Sequence, residues 1–247
     1  MSDREPILAR IREALREPAP RHYEKTAASP SGGVQVTAPF REWLPRVGDS
    51  AEERVACFAR LSEMLKTEFV PCASIAAAAK HLALLAQAND WRRVASHSGA
   101  LCDALVAECR WGTAEAVPSS GLEGSDSALP ILFRIEAGYD RDALEASDAG
   151  LTECECLVAQ TGSVCVTALS SGGRTLSVLP PHHLVIARRA QLVTDLTAAY
   201  ELLAQKYAAH YPSFMSFITG PSRTGDIERI LVLGAHGPKK LTVLLVP

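Results

Sequence analysis

The sequence predicts an α/β domain with a largely parallel sheet. Strand-like and helix-like segments alternate through the first half, two apolar strand-like runs close the chain, and the composition is that of a globular protein. The 247 residues are 47% hydrophobic and 21% charged, enough apolar material for a core of ordinary size without disulfides.

In chain order, residues 2–17 read as an amphipathic helix, with Ile7, Leu8, Ile11 and Leu15 at helical spacing, Ser2 as N-cap and Pro18 as stop. The stretch "PAPRHYEKTAASPSGG" is polar, carries proline and glycine and lacks periodicity, and the linker it opens is expected over 18–49. The helix before it is then an arm that packs on its own domain, on a partner or on a second copy. A second helix is predicted from Ser50 to Glu68, with Val55, Phe58, Leu61 and Leu65 on one side. The alanine-rich "ASIAAAAKHLALLAQAND" predicts a third, ended by Asn89-Asp90. "RRVASHS" reads as a short strand and "GALCDALVAEC" as the helix after it. Between Trp111 and Gly138 a loop, "VPSSGLEGSDSALP", precedes a candidate strand, "ILFRIE", and "YDRDALEAS" follows as a short helix. "CLVAQTGSVCVTAL" gives two apolar pieces broken at Thr161-Gly162-Ser163, and "TLSVLPPHHLVIAR" a pair of strands broken at Pro180-Pro181. "AQLVTDLTAAYELLAQKYA" predicts a helix with Leu192, Val193, Leu196, Ala199, Leu202 and Leu203 as its apolar set. "RILVL" and "LTVLLV" are the closing strands, joined by "GAHGPKK", whose length suits a hairpin or tight connection.

Lys and Arg number 25 against 28 Asp and Glu, so the formal charge is −3 and nucleic acid is not the expected partner. The basic pairs Arg92-Arg93, Arg188-Arg189 and Lys239-Lys240 sit beside apolar runs and read as solvated element ends. No stretch approaches the roughly 18–20 apolar residues of a membrane span, and the charged start is not a signal peptide. The expected location is the cytoplasm. The 7 cysteines are scattered, as expected of reduced, mostly buried thiols. Only "CEC" at 154–156 is close-spaced, and it lacks the second half of a zinc or iron–sulfur ligand set.

Three loops could carry chemistry. Thr161-Gly162-Ser163 combines a glycine that admits close backbone approach with flanking hydroxyls, suited either to an anion or to a bulge between strands. In "GPSRTGD", Gly220 forces a turn, Ser222 and Thr224 offer hydroxyls, Arg223 offers a fork for carboxylate or phosphate, and Asp226 can accept from that fork. The same residues also suit a self-contained turn. In "GAHGPKK", His236 between glycines, with Gly237, is a candidate for proton transfer or anion binding; His182 and His183 after Pro180-Pro181 make a similar case. The P-loop, GxSxG and GxGxxG patterns are absent from the sequence.

Taken in order, "AQTGSVCV", "LSVLPPHHLVIAR" and "ITGPSRTGDIERILVLGAHGPKKLTVLLV" resemble the lactate-utilization protein C family, the LUD domain. That family has a TG[ST] element before a strand, a PPxH element, and a C-terminus close to GxSxTxDIE…VLGxHGPxxLxVxLV. The resemblance covers about residue 148 to the end and places the domain at 50–247. It implies a fold of the NagB/RpiA/CoA-transferase group and a role in oxidising L-lactate to pyruvate beside iron–sulfur protein partners. It implies ligand-binding positions at Thr161, Gly162, Ser163, His183, Gly220, Ser222, Arg223, Thr224, Asp226, His236 and Gly237. The family's glutamate before TG[ST] is Gln160 here, and an amide is no general base. Redox cofactors are expected in the partners, none in this chain, and a small anionic metabolite is the expected ligand. Two other readings stay open: a free-standing transferase or isomerase acting on a phosphorylated or CoA-linked metabolite, and a metabolite-sensing accessory protein.

Overall fold

The computed structural model describes residues 8–10, 12, 13, 16, 44–114, 130–135, 141–208, 210–224, 232–234 and 236–247. The chain divides into two units, Met1–Glu42 and Trp43–Pro247. In the first, residues 8–10 and 12–13 are helical, within the predicted 2–17 helix. Most of the predicted 18–49 linker, the "VPSSGLEGSDSA" loop and Asp226 lie outside the described residues.

The second unit begins with helix α1, Ala51–Leu65, opened by a capping box in which Ser50 and Glu53 satisfy each other's backbone N–H. Lys66 ends it in the left-handed region at φ 65°, so the helix stops short of the predicted Glu68 and residues Glu68–Pro71 form strand β1. Helix α2, Ile75–Ala88, is capped by Ser74, whose hydroxyl accepts from Ala77 N–H, and ends at Asn89. Strand β2, Arg93–Ser96, leads to α3, Ala100–Cys109. Then come β3, Gly112–Ala114; β4, Ile131–Arg134; α4, Arg141–Glu145; and β5, Ala149–Thr152. Strands β6, Cys156–Val158, and β7, Ser163–Thr167, flank Thr161-Gly162.

The predicted strand pair around Pro180-Pro181 is a single strand, β8, His182–Arg188. Residues 175–179 form a turn closed by bonds from Val178 and Leu179 N–H to Thr175 O. They lie flat on β5: a Cβ on Gly150 would come within 2.5 Å of Leu176 O. The next predicted helix begins late. Leu192–Val193 is strand β9, and helix α5 runs Leu196–Tyr207 behind an Asp195 cap. Strands β10, Met215–Ile218; β11, Arg223–Thr224; β12, Val232–Leu233; and β13, Lys240–Val246, complete the unit.

Seven strands form one parallel sheet in the order β1-β13-β8-β5-β2-β4-β3. The closing strands are therefore no hairpin. β12 pairs with β11, whereas β13 lies between β1 and β8. A second sheet, β10-β7-β6-β9, packs against the first. Both faces of the large sheet are covered, and side chains alternate between them. Leu184, Ile186 and Leu244 join the α2 and α3 side with Leu82 and Leu105. Val185, Leu241 and Val243 join Phe58, Leu157 and Val164 on the small-sheet side. The outer face of the small sheet packs on α5 through Cys156, Val158, Cys165, Ala199, Leu203 and Tyr207.

Glu155 fixes that last layer. Its buried carboxylate accepts from Thr167 Oγ1 (2.7 Å), Tyr207 Oη (2.6 Å) and Lys206 Nζ (2.6 Å). Burial by itself raises the Glu155 pKa, but these hydrogen bonds outweigh it and hold the group below the ordinary range.

Candidate functional site

The Pro-Pro, GPSR and GAHG loops meet at the amino ends of β8 and β13, because these strands are parallel and in register from His182 opposite Lys240 onward. Ser222 fastens two of the loops: its N–H donates to Pro238 O (2.9 Å) and its carbonyl accepts from Gly234 N–H (2.9 Å). Lys239 N–H donates to Pro181 O (2.8 Å) and brings in the third.

A cavity of about 160 Å³ lies between these loops. It is lined by His183, Gly220, Ser222, His236 and Gly237, and by apolar Phe214, Ile218 and Leu241. Ser177 and Val178 close one side. His183 is 1% exposed; its Nε2 lies 2.9 Å from Thr152 Oγ1, while Nδ1 is buried and has no hydrogen-bond partner among the described residues. Ser177 Oγ is likewise buried and unpartnered. Burial, then the neighbouring His182, lowers the His183 pKa to about 3, so its imidazole is neutral near pH 7. His236 is exposed at the rim. Two residues that line the mostly apolar cavity thus carry orphaned polar atoms, the pattern of a small-ligand site.

His182 lies on the opposite face of β8, as strand alternation requires. It lines a wider cleft of about 560 Å³ with Lys66, Glu68, Asn89, Arg223, Lys239 and Lys240. Pro221 and Leu241 border both spaces. Arg223 therefore faces the cleft rather than the His183 cavity, and its Nη2 donates to Leu65 O at the end of α1.

Thr161, Gly162 and Ser163 stand behind this wall. Thr161 Oγ1 lies 2.8 Å from Ser163 Oγ, which lies 2.7 Å from Thr219 Oγ1, so the hydroxyls form a chain that ends beside Gly220. Gly162 and Gly220, at φ 65° and 85°, both press on the last turn of α1. Gln160 Nε2 donates to Pro45 O (3.2 Å). Thr224 pairs through its backbone with Val232.

Sequence reasoning does not single out Ser177, because "TLSVL" reads as a strand, nor the Lys239-Lys240 pair as part of a site. A further polar cluster lies at the carboxyl ends of β2 and β5. Glu153 Oε1 accepts from Leu101 N–H (2.7 Å) and Cys102 N–H (3.1 Å) and so caps α3. His97 Nε2 accepts from Glu153 N–H (3.2 Å). Among the described residues, no group of three or more His, Cys, Asp or Glu is arranged to hold a metal, and no helix is long and apolar enough to cross a membrane.

The LUD domain family model matches residues 57–246. Lactate utilization protein C of Exiguobacterium sp. is 28% identical over 221 residues, covering 86% of this chain and 89% of that protein. The proteins of the same name from Anoxybacillus flavithermus and Bacillus subtilis are 35% identical over 114 residues and 36% over 104. Those stretches cover 45% and 41% of this chain, and span 50% and 43% of the two relatives. A crystal structure of a DUF162 family protein from Deinococcus radiodurans superposes with a TM-score of 0.54 at 18% identity, over 81% of this chain and all of that one, which shows a shared fold.

Proposed function

The chain belongs to the LUD domain family, and from that premise we propose that it serves lactate utilization as a non-redox component binding a small carboxylate. The name carried by its relatives supports the pathway. The observation that carries the binding half is the pair of buried, unpartnered atoms, Ser177 Oγ and His183 Nδ1, in residues lining one mostly apolar cavity. A 2-hydroxy or 2-oxo acid of three carbons matches such a space. Its oxygen substituent meets Ser177 and His183, its methyl group meets Phe214, Ile218 and Leu241, and its carboxylate stays at the mouth beside Ser222 and exposed His236. Neutral His183 exchanges hydrogen bonds there without serving as a counter-ion. The electrons of lactate oxidation pass to iron–sulfur protein partners, with which this chain assembles.

Thermal shift with L-lactate and pyruvate tests the binding half, since a ligand of the folded state raises Tm by mass action. Both acids should raise Tm, and Ser177→Ala with His183→Gln should remove most of the effect. Anaerobic co-purification, with iron and acid-labile sulfide assayed in the captured proteins, tests the assembly. No Tm response to either acid, together with no iron–sulfur protein retained, overturns the reading.

A further inference from the structure

The cleft on the His182 side has a character unlike that of the smaller cavity. Four cations from three segments line it: Lys66 after α1, Arg223 in β11, and the adjacent Lys239 and Lys240 where β13 begins. Among the described residues one carboxylate, Glu68, lines it too, and that group is engaged: it accepts from Thr242 Oγ1 (2.8 Å) and lies 3.1 Å from His81 Nε2. Lys240 Nζ is 2.6 Å from Asn89 Oδ1, a neutral acceptor. Among the described lining residues the excess is positive, in a chain whose formal charge is −3. Converging cations with low-dielectric walls attract and concentrate anions.

His182 adds a separate observation. It is 4% exposed, with its ring edge-on to Trp91. Its Nε2 lies 2.8 Å from Thr242 Oγ1. The Thr242 hydroxyl spends its proton on Glu68, so its oxygen accepts from His182 Nε2–H. That arrangement fixes the tautomer and leaves Nδ1 unprotonated. Nδ1 is buried and has no partner among the described residues. A bare anion would satisfy the lysines and leave Nδ1 orphaned. His182 lines the cleft, so a ligand that also carries a donor would satisfy Nδ1.

We propose that this cleft binds a phosphorylated metabolite, its phosphate among Lys66, Arg223, Lys239 and Lys240 and a hydroxyl or N–H of the same molecule donating to His182 Nδ1. Phosphate suits the set because its oxygens accept from several directions at once and it carries more charge than one carboxylate. The volume, about 560 Å³, falls in the range of small-molecule and cofactor sites and exceeds what the neighbouring cavity offers. The proposal rests on the cleft alone and does not require a carboxylate in the His183 cavity.

Calorimetric titration of the full chain with inorganic pyrophosphate and with glycerol 3-phosphate tests it. Both should bind saturably, and affinity should fall as salt is raised. Lys66→Gln/Lys239→Gln, two exposed side chains, should weaken both probes by about tenfold or more. His182→Gln should weaken glycerol 3-phosphate more than pyrophosphate. The Tm response to lactate should survive the lysine changes, and the phosphate affinity should survive Ser177→Ala, so the two sites can fail separately. Absence of saturable binding at millimolar probe overturns the proposal, as does salt-independent binding by the wild type. Binding of poly-glutamate without binding of either phosphate also overturns it, and makes the cleft a contact for an acidic protein.

Discussion

His182 and His183 are neighbours in sequence, yet each lines a different space, and both are kept neutral. Burial lowers the His182 pKa to about 4, with Lys240 adding to the effect, and lowers that of His183 to about 3. An unfolded histidine titrates near about 6.5. Above that pH both states are neutral and the two histidines cost nothing. Below it the unfolded chain binds protons that the folded chain refuses, so stability falls as pH drops from about 6.5 toward the folded values. Each histidine can contribute a slope of up to about 1.4 kcal/mol per pH unit in that window. Burial lowers His97 as well and adds to the same limb. Urea unfolding at pH 7.5, 6 and 5 should show the decline, and His183→Gln should make it shallower by about one histidine's share. A wild-type profile flat from pH 7.5 to 5 contradicts these buried, neutral imidazoles. The sequence makes the Pro-Pro-His-His element legible as a site candidate. It does not make legible that the two rings serve separate spaces, because that depends on both faces of β8 being covered.

At the scale of elements, the polar loops hold the end of α1. A Cβ on Gly220 would lie 2.9 Å from Leu65 O, a backbone atom that cannot yield easily, at a φ of 85° that side chains rarely adopt. A Cβ on Gly162 would meet the flexible tip of Leu65 at 2.9 Å and Leu61 Cβ at 3.0 Å. Gly173 also has positive φ, 114°, but nothing lies within 4 Å. Alanine should therefore cost most at Gly220, about 2–3 kcal/mol, less at Gly162, and only backbone strain of about 1 kcal/mol at Gly173. Urea midpoints of the three variants check the order, and equal losses would mean that contact with α1 contributes nothing. Turn residues of this kind are legible in sequence because their chemistry is local. Strands β1, β3 and β5 are not, since three or four residues carry too little period and owe their conformation to distant partners. The connection between β12 and β13 misleads for the same reason: its length suits a hairpin, but β13 finds its partners in β1 and β8.

Across the whole molecule, the layers explain where the site lies and what solvent can reach. Open α/β sheets commonly bind ligands beyond the carboxyl ends of their strands. Here the cavity and the cleft both open at the amino ends of β8 and β13, while Glu153 fills the N-terminus of α3 on the carboxyl side. Local motifs cannot reveal that choice, because it follows from the strand order. The same layering decides the state of the cysteines, all seven of which are free. Cys154, Cys156 and Cys165 lie between the two sheets or under α5, with Cys156 directly opposite Cys165 across the β6–β7 pair. Cys57 and Cys102 are buried as well. Contact with Cys156 and burial raise the Cys165 thiol, burial raises Cys102 and Cys154, and burial with nearby Glu108 takes Cys109 to about 12. A thiol must ionise to react, so both access and charge oppose modification. An aromatic disulfide reagent at neutral pH should consequently titrate at most Cys72 and Cys109 in the folded protein, and those slowly, because only these two are half-buried. All seven should react once guanidinium unfolds the chain. Fast reaction of three or more thiols without denaturant would show a layer opening, and mass mapping would identify it: Cys154, Cys156 or Cys165 would mark the small sheet, Cys102 the α3 side.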